Sequence, residues 1–173
     1  MRALAVLPLL LVLPAQADVV ASAPGHYELA HSATSELSPD EMWARLLDVP
    51  AWWQDAHTYS GSAANLSLDA RAGGLWREDW EGGSVAHGTV LLVQPPTADA
   101  PGTLRVDAPF GPLQERDVRV VWTITVAPHA DGSEVTFREL ASGPERSGLD
   151  TLAPAVDFVK GEALKSLVDK GVP

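Results

Sequence analysis

Gly74-Leu75-Trp76-Arg77-Glu78-Asp79-Trp80-Glu81-Gly82-Gly83-Ser84-Val85-Ala86-His87-Gly88-Thr89-Val90-Leu91-Leu92-Val93 is the stretch on which the fold turns. Two runs of alternating character flank a pair of glycines, which predicts a β-hairpin turning at Gly82-Gly83. Glu81 and Ser84 then close the turn, Glu78 faces His87, and Trp76 faces Thr89. Side chains alternate across a strand, so Trp76, Glu78, Trp80, Val85, His87 and Thr89 share one face. Two tryptophans mark that face as the buried one. A carboxylate and an imidazole are therefore expected side by side on an otherwise apolar surface. A turn one residue earlier, at Glu81-Gly82, would instead shift the register and take His87 away from Glu78.

The bulk properties bound what such a hairpin belongs to. A chain of 173 residues suits one domain with a sizeable core. The formal net charge is −11, with 12 basic residues. That balance repels nucleic acid and anionic membrane surfaces. The chain has no cysteine, so it has neither disulfides nor thiolate zinc ligands.

Residues 1–17 have the form of a signal peptide. Arg2 supplies a positive start, residues 3–13 are apolar apart from Pro8, and Ala15-Gln16-Ala17 offers a cleavage site before Asp18. The expectation is an exported protein, periplasmic in a Gram-negative host or secreted otherwise, with no stable membrane insertion once the signal is removed. A retained signal anchor is the alternative. Residues 18–24 are expected to be a frayed leader, and residues 25–173 a single domain.

A first strand is expected over residues 25–37. Ser38-Pro39-Asp40-Glu41 is a strong helix start, with Ser38 as N-cap, Pro39 at the first position and Glu41 completing a capping box. Pro50 stops that helix, and Ala51-Trp52-Trp53-Gln54-Asp55 predicts a second short one. Period-two patterns follow around residues 64–71, in the hairpin, and around Leu104, Val106 and Ala108. They recur over Val118, Val120, Trp122, Ile124 and Val126, and then over Val135, Phe137 and Glu139. Residues 149–170 predict a long amphipathic helix, with Leu152, Val156, Val159, Ala163 and Leu167 on its apolar stripe. The class is α+β. A curved antiparallel sheet of about six to seven strands must bury its dry face, and only the C-terminal helix is long enough to cover it.

The Ser-Pro-Asp-Glu-Met-Trp helix start, Trp52-Trp53, and Ala72-Gly73-Gly74 before Trp76-Arg77-Glu78 carry a family resemblance. So do His87-Gly88-Thr89-Val90, Phe110-Gly111-Pro112-Leu113-Gln114 and Val156-Asp157-Phe158-Val159. Over nearly all of residues 25–173 the chain resembles the SRPBCC (START, birch-pollen-allergen and polyketide-cyclase-like) superfamily. Within it, the chain looks like the branch related to the activator of heat-shock-protein-90 ATPase. The resemblance implies a helix-grip fold with a hydrophobic cavity under the C-terminal helix. No cofactor is expected. Its functions range from lipid and hormone binders to cyclases and chaperone activators. The last role fits an exported chain badly, because its partner is cytosolic or needs ATP.

The expected cavity residues are Trp52, Trp53, Trp76, Glu78, Trp80, His87, Phe110, Trp122, Phe137, Glu139, Val156 and Val159. Trp43 and Trp122 suit ordinary core packing equally well. Glu78 and His87 are the catalytic candidates: a buried carboxylate beside an imidazole can act as a general acid and base. Such a pair also arises without function, since burying either partner alone costs about 3 kcal/mol or more. His31, His57, His87 and Asp55 lack metal-ligand spacing, and no Gly-x-Ser-x-Gly or phosphate loop is present. Three functions remain open. They are an exported binder or carrier of a small hydrophobic molecule (lipid- or polyketide-like), a cyclase-, isomerase- or lyase-type enzyme using Glu78 and His87, and a non-catalytic interaction module of the cell envelope. The last would have a collapsed core and an apolar patch near Phe110. Either a monomer or a dimer is compatible with the chain.

Overall fold

The computed structural model describes residues 16–169. The expected signal segment lies almost wholly outside them. Eight strands form one antiparallel, curved and unclosed sheet: β1 (Gln16–Ala23), β2 (His26–Ser35), β3 (Leu66–Leu68), β4 (Leu75–Trp80), β5 (Gly83–Gln94), β6 (Gly102–Asp107), β7 (Arg119–His129) and β8 (Gly132–Ser142). Their spatial order is β1-β2-β8-β7-β6-β5-β4-β3. Helix α1 (Pro39–Leu47) follows β2, and helix α2 (Leu149–Val168) ends the described chain and lies across β1, β2 and β8. The arrangement is a helix grip.

The strand count is eight rather than six to seven, and the additional strand comes from the expected leader. Residues 18–23 are not frayed. They pair with β2 from Asp18↔Ala30 to Ala23↔His26, with an irregularity between Val19 and Ala21. Val19 and Val20 are exposed, so this edge strand lacks the buried alternation that makes a strand legible.

Helix α1 begins as its sequence requires. The Ser38 hydroxyl accepts from the Glu41 amide, while the Glu41 carboxylate accepts from the Ser38 amide. The second short helix does not form as one element. Two single 3₁₀ turns, Val49–Ala51 and Asp55–His57, flank Trp52 and Trp53. Trp52 and Trp53 lie between the two turns and both enter the core, where Trp52 Nε1 donates to Leu46 O (3.1 Å) and Trp53 Nε1 to His57 O (3.0 Å).

The dry face of the sheet carries Trp76, Val90, Leu104, Val106, Trp122, Ile124, Val126, Val135 and Phe137, all buried. With Met42, Leu46, Trp52, Leu164 and Leu167 they form the main core. A second core of Tyr27, Leu29, Leu113, Val120, Ala141, Leu149 and Ala153 lies under the first half of α2.

The β4–β5 hairpin turns one residue earlier than Gly82-Gly83. Trp80 pairs with Gly83, and the turn residues are Glu81 and Gly82. Gly82 alone takes a positive φ, of 88°. Gly83 serves a different purpose, because a Cβ there would lie 2.5 Å from the Trp80 indole that covers it. Glu78 consequently faces Val85, and Arg77 faces Ala86. The register then slips between Trp76 and Arg77, so that Trp76 faces Gly88 and Leu75 faces Thr89. This bulge leaves His87 without an opposite residue and turns it to the buried side, while Thr89 moves to the wet side. Gly88 permits the bulge, since a Cβ would come within 2.5 Å of the Ala108 Cβ.

Candidate functional site

The bulge brings His87 back to Glu78 despite the shifted turn. His87 Nε2 lies 3.0 Å from Glu78 Oε2, and the two residues are 2% and 0% exposed. The Glu78 carboxylate is also the anchor of the segment after Trp53. The Tyr59 amide donates to Oε2 (3.0 Å) and the Ser60 amide to Oε1 (2.5 Å). Burial pushes the Glu78 carboxyl up, but the hydrogen bonds from Ser60, Tyr59 and His87 outweigh it and hold the group below its ordinary value. Glu78 is therefore an anion with its oxygens engaged. Burial pushes His87 down and outweighs the pull of Glu78, so the ring is neutral near pH 7. With Glu78 ionised, Nε2 carries the ring proton and Nδ1 presents a lone pair. Nδ1 is buried and has no hydrogen-bond partner.

A second polar group stands on the other wall. Tyr27 on β2 donates to Glu139 Oε1 on β8 (2.6 Å), and Lys160 Nζ on α2 lies 2.8 Å from Glu139 Oε2. The lysine contact is an ion pair by distance, with angles outside hydrogen-bonding range. Nζ also sits 3.3 Å from the Trp122 ring centroid and 4.7 Å from that of Phe110. Burial pushes the Lys160 ammonium down against the opposing pull of Glu139. Burial, and then Glu139, push the Tyr27 hydroxyl up, so it remains a proton donor.

Between these walls lies a partly open cavity of about 390 Å³. Trp53, Phe110, Leu152, Val156 and Val159 are among its apolar lining, and His87, Glu139 and Lys160 are among its polar groups. Tyr59, 53% exposed, stands at the rim, and its hydroxyl reaches Gly111 O at 3.4 Å.

Six of the residues expected from the sequence line this cavity: Trp53, His87, Phe110, Glu139, Val156 and Val159. Glu78 stands one layer back, behind His87. Trp52, Trp76, Trp122 and Phe137 form the aromatic packing beneath, with Trp76 and Trp122 stacked at 5.6 Å and Trp122 edge-on to Phe137 at 4.9 Å. Trp80 lies away from the cavity, over the hairpin turn. Phe110 does not form an exposed patch. It stacks on Trp53 (5.4 Å) and on His87 (5.2 Å) and so closes one side of the cavity.

Sequence reading missed Lys160. Its signal was present, since Lys160 follows Val156 by four residues and precedes Ala163 by three, inside the apolar stripe of α2. The rim residue Tyr59 carries no such signal, because Glu78 holds its amide from a distant strand.

Neither protein-family models nor curated proteins match this chain. Solved structures do. A protein of Rhodobacter sphaeroides shares 18% identity over 88% of this chain and 95% of that one, with a TM-score of 0.56. CalU16 from Micromonospora echinospora shares 18% over 86% of this chain and 77% of that one (TM-score 0.55). A protein of Chromobacterium violaceum shares 17% over 82% and 94% (TM-score 0.56). At this level of identity the likeness is one of fold, an antiparallel sheet closed by a C-terminal helix.

Proposed function

We propose that the protein is an exported binder or carrier of a small hydrophobic molecule held between the sheet and α2. One observation carries this reading: a cavity of about 390 Å³, walled by Trp53, Phe110, Leu152, Val156 and Val159 and edged by only a few polar groups. Small-molecule sites have this character, with volumes of roughly 300–1,000 Å³ and few polar contacts that orient the ligand. Export rests on the sequence of residues 1–17. Cleavage before Asp18 is compatible with the fold, because it removes the Gln16↔Ser32 and Ala17↔His31 pairs and leaves the pairing from Asp18 to Ala23.

A second reading is favoured by the free lone pair of His87. A neutral imidazole at a cavity wall, with its other nitrogen fixed by an ionised carboxylate, is equipped to take a proton from a bound ligand. The reaction would be of cyclase, isomerase or lyase type, with His87 as base and Glu78 as the group that orients it.

Native mass spectrometry of the protein from its own host separates the two. A co-purifying small molecule that is lost on delipidation, and retained unaltered in form by His87→Ala, is the carrier result. Conversion of that molecule by the native protein, abolished in His87→Ala and Glu78→Gln, is the enzyme result. A protein that stays ligand-free against a panel of lipids and polyketides contradicts both.

A further inference from the structure

Lys160 is the group in this cavity whose placement the fold does not require. It occupies the apolar stripe of α2, 3% exposed, between Val156 and Ala163. Apolar residues at both Lys160 and Glu139 would cover the sheet without desolvating charge, and replacing a whole buried ion pair in that way is often neutral or stabilising. The amine instead lines a cavity with Val156, Val159 and Phe110 as neighbours and Glu139 as its polar partner. We propose that Lys160 captures apolar aldehydes and ketones in this cavity as a reversible imine. This deepens the binding function and rests on it.

The chemistry follows from the neighbours. Glu139 takes a proton from the Lys160 ammonium across 2.8 Å. The amine lone pair attacks the carbonyl carbon, a C–N bond forms, and the carbonyl π pair moves to oxygen. Oxygen gains a proton as nitrogen loses one, giving a carbinolamine. Glu139 returns its proton to that hydroxyl, water leaves, and the nitrogen pair closes the C=N bond. The net change is carbonyl plus ammonium to protonated imine plus water, with Glu139 restored as a carboxylate and no oxidant or reductant. Hydrolysis reverses it and releases the ligand intact. A lysine desolvated by an apolar pocket suits this role, and burial shifts Lys160 in the required direction. Glu139 also argues for a neutral head group. It already balances the lysine charge, so an ionised carboxylate on the ligand would meet no unpaired cation.

The chain has three lysines, Lys160, Lys165 and Lys170, of which Lys165 is exposed. The full chain is incubated with decanal and sodium cyanoborohydride at pH 7, and the adducts are located by peptide mapping. Displacement of N-phenyl-1-naphthylamine by decanol, followed in parallel, reports the cavity independently. The expected result is one decyl group on Lys160, formed about tenfold or more faster than on Lys165, which is exposed and has no apolar cavity to hold the aldehyde. Lys165→Arg leaves that adduct unchanged and Lys160→Arg loses it. Mapping of the native protein decides the matter even if the second variant does not fold. Labelling spread over Lys165 and the N-terminus without preference for Lys160, while decanol displaces the dye, overturns the imine and leaves the binding function standing. Failure of the dye to bind, with Lys160 unlabelled, overturns both.

Discussion

Glu78 and His87 make stability depend on pH in a definite direction. His87 has a folded value below its ordinary 6.5, so the unfolded chain binds more protons between the two values. Its contribution is therefore complete above 6.5 and is lost as pH falls through that window. Glu78 is held below its ordinary 4.5, so its contribution persists above 4.5 and disappears as pH falls further, through the folded value. Urea unfolding at pH 7.5 and pH 5.5 is expected to show a smaller drop for His87→Gln than for the native chain; an identical drop contradicts the assignment. Glu78→Gln removes an anion that accepts from two loop amides, and a loss of about 1–3 kcal/mol at pH 7 is expected. For the second pair, Lys160→Met leaves Glu139 buried without its cation and should cost about 3–5 kcal/mol. The double variant with Glu139→Gln should recover much of that loss, because the glutamine oxygen still accepts from Tyr27. The two pairs were not equally legible. The Glu78–His87 contact follows from strand alternation, yet through a turn position that is wrong by one residue and a bulge that compensates. Lys160 was hidden by its charge, which reads as a solvated face unless helical spacing is followed strictly.

At the scale of elements, the bulge in β5 is the device that joins hairpin to site. Gly88→Ala forces a Cβ to within 2.5 Å of Ala108, and an over-packing cost of about 1–3 kcal/mol is expected. The sharper expectation is local. The variant should lose the His87–Glu78 contact, seen by NMR as an imidazole that titrates further below its ordinary value, because the upward pull of Glu78 is gone while the ring stays buried. An unmoved His87 would show that the bulge does not hold the ring. Helix α1 depends on a capping box, so Ser38→Ala should lower stability by about 1 kcal/mol, measured by thermal unfolding. Elements with a buried stripe were readable: α1 from its cap, β7 from its alternation, α2 from its period. Strand β1 was not, because an edge strand held by backbone pairing carries little side-chain pattern. The Trp52-Trp53 segment was misread as one helix because its local pattern does not record the break between two separate 3₁₀ turns.

For the whole molecule, the unclosed sheet and the helix lying across it leave a space that the side chains do not fill. The main core ends in the aromatic layer of Trp76, Trp122 and Phe137, and the second core begins at Leu113, Leu149 and Ala153. The cavity runs between them, under Val156 and Val159. That such a space exists was legible from the fold resemblance. Its position, off the Trp76–Trp80 face and toward Phe110 and α2, depends on packing across residues far apart in sequence. Val156→Trp places an indole in this volume, on the partly open side of α2. Titration of N-phenyl-1-naphthylamine into the native chain and into Val156→Trp tests the central claim most directly. One saturable site in the native chain, lost in a folded Val156→Trp, is the predicted result. Equal binding by both chains would place the dye elsewhere and contradict the cavity as the site of function.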